Sequence, residues 1–103
     1  MAEYKLVITA PALEDVESIC AYIAEKLDNL SASRKLSGKI FSSASSLLQL
    51  PKRYRVRRKN RKGQEIRYMP VDNFIMMYCV DDVKRTVNIL RVMYAKRNID
   101  AMI

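Results

Sequence analysis

The 103-residue chain contains no histidine and no tryptophan, and only two glycines, three prolines and two cysteines. The missing histidine removes imidazole acid–base chemistry, His-activated serine or cysteine nucleophiles and nearly all metal sites. Cys20 and Cys79 are isolated in apolar surroundings. Two reduced core thiols of a cytoplasmic protein are the expectation, with a disulfide or a reactive thiol as the alternative. No stretch approaches the roughly 20 apolar residues that span a bilayer. Met1–Lys5 shows neither the basic start nor the apolar run of a signal peptide, so a cytoplasmic location is expected. No repeat or linker breaks the pattern, and one domain over residues 1–103 is expected.

Half of the residues are apolar, which allows a core, and the formal net charge is +8. That charge is concentrated. Residues 52–62, KRYRVRRKNRK, hold eight basic and no acidic side chains, whereas residues 1–51 and 63–103 carry net −1 and +1. A segment of this kind attracts a polyanion or an acidic protein. The candidate nucleic-acid or target-binding residues are therefore Lys52, Arg53, Tyr54, Arg55, Arg57, Arg58, Lys59, Arg61 and Lys62, joined by Lys96. Tyr54 is placed to stack on a base or an arginine. A solvated loop is the plainer alternative.

Tyr4–Thr9 reads as a short strand with Tyr4, Leu6 and Ile8 on one face. Thr9 is the expected cap of a first helix, with Pro11 in its first turn and an end near Asp28-Asn29. Ser31 is the expected cap of a second helix, with Leu36, Ile40, Ala44, Leu47 and Leu48 facing inward and a serine-rich outer face that includes Ser33. Leu50-Pro51 ends it. The alternation Tyr54–Arg57 suits a brief strand, and residues 58–63 read as an exposed loop. Three strands follow, over 65–69, 74–80 and 86–94, the middle one apolar on both faces as a central strand should be. The order is β-α-α-β-β-β. It predicts an α+β fold with a helical hairpin packed on one face of a mainly antiparallel four-stranded sheet. Four-residue turns would set Arg67 opposite Met76 and Arg91 opposite Phe74, with both arginines on one sheet face.

These residues, taken in order, resemble the RelE/ParE superfamily of toxins from bacterial type II toxin–antitoxin modules. The resemblance rests on Thr9 with Ala12-Leu13, on Val16–Ala24, on Leu47–Pro51, on Gly63–Arg67, on Val71–Phe74, on Tyr78–Asp82 and on Val87–Ile99. It implies a growth-arresting toxin in a hetero-oligomer with a cognate antitoxin, needing no cofactor or metal. Two targets occur among such proteins. ParE-like members act on DNA gyrase. RelE-like members cut messenger RNA at the ribosome, using Lys, Arg and Tyr rather than histidine. Catalytic candidates on the second reading are Arg67, Arg91, Arg97 and Tyr94. Ile75 stands where RelE-like enzymes usually carry an arginine, and the regions 63–67 and 90–97 look closer to ParE-like members. ParE-like action is thus the preferred expectation, RelE-like endoribonuclease activity the alternative, and a non-toxic nucleic-acid-binding domain a third.

Overall fold

The computed structural model describes residues 3–96. Strand β1 (Lys5–Ile8) runs straight into helix α1 (Ala10–Glu25) through Thr9. The Thr9 hydroxyl oxygen accepts the Ala12 N–H at 3.4 Å and its hydroxyl donates to the Ile89 carbonyl at 2.8 Å. One side chain therefore starts the helix and ties it to the far end of the chain. Asp28, at φ 48, turns the chain after α1. Helix α2 (Leu30–Ser46) is capped by Asn29, not Ser31: the Asn29 side-chain Oδ1 accepts the Ala32 N–H at 3.0 Å. Ser33 does not share the exposed serine face. It is buried between the helices and donates to the Cys20 carbonyl at 2.8 Å.

Four more strands follow: β2 (Val56–Lys59), β3 (Glu65–Val71), β4 (Phe74–Asp81) and β5 (Thr86–Tyr94). The sheet therefore has five strands, one more than expected, in the order β1-β5-β4-β3-β2. The additional strand comes from the basic run, whose alternation continues to Lys59 before the chain turns at Asn60. β1 is parallel to β5, and the other pairs are antiparallel.

The register differs from the expected one. Val71 faces Phe74, so only Asp72 and Asn73 make the β3–β4 turn, with Asp72 at φ 53. A two-residue hairpin needs such a left-handed residue, and aspartate tolerates it. Pro70 is consequently a strand residue. β2 pairs with β3 only as far as Arg67, so the missing N–H of Pro70 interrupts no ladder on that side. Arg67 then lies opposite Tyr78 rather than Met76. Beyond an irregularity at Leu90, Arg91 lies opposite Met77 rather than Phe74.

The hairpin of helices covers one sheet face, where Ile40, Leu47, Met76, Tyr78, Val87 and Ile89 are almost fully buried. Each such side chain contributes about 1.5–3 kcal/mol by leaving water. Alternate residues of the same strands, Ile66, Tyr68, Met77, Cys79 and Met93, form a second buried cluster on the other face. This two-sided burial is what makes β4 apolar throughout. Burial also raises the Cys79 thiol above its ordinary pKa. Both cysteines are free.

Candidate functional site

The cationic side chains fall into two groups with different surroundings. The first lies within the sheet. Arg67 extends from β3 toward the segment that follows α2. Its guanidinium donates to the Tyr54 carbonyl at 2.5 Å and the Lys52 carbonyl at 3.3 Å. Beside it the buried Tyr78 hydroxyl donates to the Pro51 carbonyl at 2.8 Å, and burial raises the phenol above its usual value. Arg67 and Tyr78 thus pin residues 51–54 to the sheet.

Arg91 is held by α1. Its Nε and a terminal nitrogen bind the two oxygens of Asp15 at 2.7 and 3.0 Å, a fork that suits a planar guanidinium. This hydrogen bond raises the Arg91 pKa still further. Asp15 also accepts the Val92 N–H at 3.0 Å. The reason is topological. β1 ends opposite Ile89, so β5 beyond that point has a free edge, and the carboxylate takes the place of a strand acceptor. Asp15 lies beyond the first turn of α1, which holds no acidic residue. Its partner lies 76 residues away, and nothing in the sequence signals the pairing.

Tyr94 is 40% exposed and meets Phe74 edge-to-face, with ring centroids 5.8 Å apart. Both rings line an open groove of about 670 Å³ together with Tyr22, Ile23 and Leu27 of the α1 side. Leu27 and Tyr22 are both exposed. Ile75 packs against the second apolar cluster. Arg97 lies outside the described residues. Arg67, Arg91 and Tyr94 therefore do not converge: each is engaged with a different part of the molecule. Among the described residues no group of three or more Cys, Asp or Glu side chains could hold a metal. No helix there is long and apolar enough to cross a membrane.

The second group is the basic run. Lys52 is paired with Asp82 at 2.6 Å, and Asp82 also accepts from the Tyr4 hydroxyl at 2.6 Å. The Lys52 bond, and then that of Tyr4, holds the Asp82 carboxyl below the ordinary carboxylate range. The same bond raises the Lys52 ammonium. Arg53 binds the Ser46 hydroxyl and lies 5.6 Å from the half-buried Tyr54 ring. Arg58 is half-buried opposite Ile66. Arg55, Arg57, Lys59, Arg61 and Lys62 are exposed on or beside β2, which is an edge of the sheet. Lys96 is exposed after β5, away from that edge in the strand order.

Comparison with known proteins comes to the same place as the sequence pattern. A protein of the chromosomal ParDE toxin–antitoxin system of P. aeruginosa superposes with a TM-score of 0.75 at 18% identity, over 93% of this chain and all of that one. A chain of the RelBE2 toxin–antitoxin complex of Mycobacterium tuberculosis gives 0.66 at 18% identity, covering 89% of this chain and 98% of the other. A free mutant of the E. coli toxin RelE gives 0.64 at 16% identity, over 99% of this chain and 93% of that one. At these identities the likeness is one of fold. No curated protein matches the sequence significantly. The family model for the ParE toxin of the type II parDE toxin–antitoxin system matches residues 6–99, nearly the whole chain, and the protein is a member of that ParE toxin family.

Proposed function

We propose that the chain arrests growth in the ParE manner, through contact with DNA gyrase, and is neutralised by a cognate antitoxin in a hetero-oligomer. The observation that carries this reading is the dispersal of the catalytic candidates. Cleavage of RNA needs groups that activate the attacking 2′-oxygen, hold the phosphate and protonate the leaving oxygen, all converging within hydrogen-bond reach of one another. Here Arg91 is bound by a carboxylate, Arg67 by two carbonyls, and Tyr94 faces an apolar groove. Ile75 is apolar where a phosphate contact would be needed. A toxin that works by protein contact requires no such convergence, and the likeness to proteins of the ParDE and RelBE toxin–antitoxin systems supports an antitoxin partner.

Pulse labelling after induction tests the proposal. DNA synthesis should fall first, with filamentation, and the purified protein should inhibit gyrase supercoiling. Rapid collapse of protein synthesis with cut transcripts would instead establish the ribonuclease alternative. Co-expression with a cognate antitoxin should restore growth. If neither synthesis falls, the toxin reading fails.

A further inference from the structure

The exposed cations of the β2 edge are given no role by the proposed function. Arg57 has a distinctive setting there. The β2–β3 register shifts between Val56 and Arg58, so Arg57 is the extra residue of a bulge. Its guanidinium lies 4.9 Å from the centroid of Tyr68, whose ring is anchored in the second apolar cluster. A guanidinium held over a fixed ring is a flat, preorganised cation. Arg57 is exposed, as are Arg55, Lys59, Arg61 and Lys62 around it, and no acidic side chain among the described residues forms a salt bridge with any of the five. The β2–β3 turn is itself fixed. The Asn60 side chain accepts the N–H groups of Lys62 and Gln64 at 3.0 Å each, and Gly63 supplies the left-handed φ of 78 that this turn requires.

We infer that the β2 edge is a binding ledge for a single-stranded polynucleotide, with Arg57 stacking an unpaired base and Arg55, Lys59, Arg61 and Lys62 taking phosphates. Two alternatives fit less well. An acidic peptide would bind an edge strand by adding a strand to it. The bulge at Arg57 breaks the hydrogen-bond repeat such an addition needs. A duplex would engage the lysines and arginines through its phosphates but offer no unstacked base to Arg57.

Fluorescence anisotropy with a fluorescein-labelled oligothymidylate of about 15 nucleotides tests the ledge on the purified chain. With about four phosphates contacted, affinity should fall about 50-fold between about 50 and about 200 mM salt. Arg57→Lys keeps the charge and removes the plane. It should weaken oligothymidylate binding about tenfold and leave heparin binding unchanged. The triple variant Lys59→Gln, Arg61→Gln, Lys62→Gln should weaken both ligands, with circular dichroism unaltered. Equal affinity for a duplex of the same length, tighter binding of polyglutamate, or an Arg57→Lys variant that binds as the parent does would each overturn the inference.

Discussion

The arginines inside the sheet and the cations along its β2 edge are chemically alike and physically opposite. Arg67 and Arg91 have their guanidinium protons taken up by backbone carbonyls or a carboxylate, and through those bonds they hold the segment after α2 and helix α1 in place. Arg55, Lys59, Arg61 and Lys62 are exposed at an edge strand. The contrast teaches that a family-position arginine is a poor guide to chemistry until its acceptors are known. It predicts that stability resides in the first group and the second is expendable for folding.

Four experiments can break or sharpen this division. The largest effect is expected for Asp15→Ala, which leaves the Arg91 fork and the Val92 N–H without their acceptor. Urea unfolding should show a loss of about 2–3 kcal/mol. A double-mutant cycle with Arg91→Ala should then give clear non-additivity. Next comes Tyr78→Phe, which abandons the Pro51 carbonyl and should cost about 1 kcal/mol. This variant also has a pH signature. Because burial raises the Tyr78 phenol in the folded state, its contribution is complete below about pH 10, the unfolded value. It is lost as pH rises through the raised folded value. Alkaline melts of the parent should therefore decline more steeply than those of Tyr78→Phe.

Asp82→Asn should do less, since the Lys52 and Tyr4 bonds to it are exposed. Its carboxyl is depressed in the folded state, so the contribution is present above about pH 4 and disappears as pH falls through the lower folded value. The parent and variant melting curves should converge in acid. Smallest of all, the combined Arg55→Gln, Lys59→Gln and Arg61→Gln variant should melt within about 2 °C of the parent. A large destabilisation there would erase the distinction between the two groups.

Much of the fold was legible because local chemistry and tertiary need coincide. Thr9 reads as a cap and is one, and the apolar run 74–80 reads as a central strand and lies between β3 and β5. The helical hairpin, the α+β class and the toxin family follow from the same consistency. The register was not legible. Pro70 looks like a turn residue, and only the short reach of β2 along β3 reveals why a proline is accepted in that strand. The candidate site was legible as composition and not as arrangement. Arg67 and Arg91 were found, but their acceptors come from residues 51–54 and from Asp15, contacts that no local pattern encodes. Likewise Tyr68 gives no sign in the sequence that Arg57 will lie over it.

The parallel pairing of β1 with β5 has a consequence for the order of assembly. Lys5 meets Thr86 and Ile8 meets Ile89, so the seam joins segments about 80 residues apart. The helical hairpin and the β3–β4–β5 meander are local and can form early, whereas this seam carries the highest loop-closure cost. During synthesis β1 must wait, unpaired, until the last strand has left the ribosome. A chain interrupted before residue 86 cannot close its sheet, and the folded sheet comes into being only once β5 has been made.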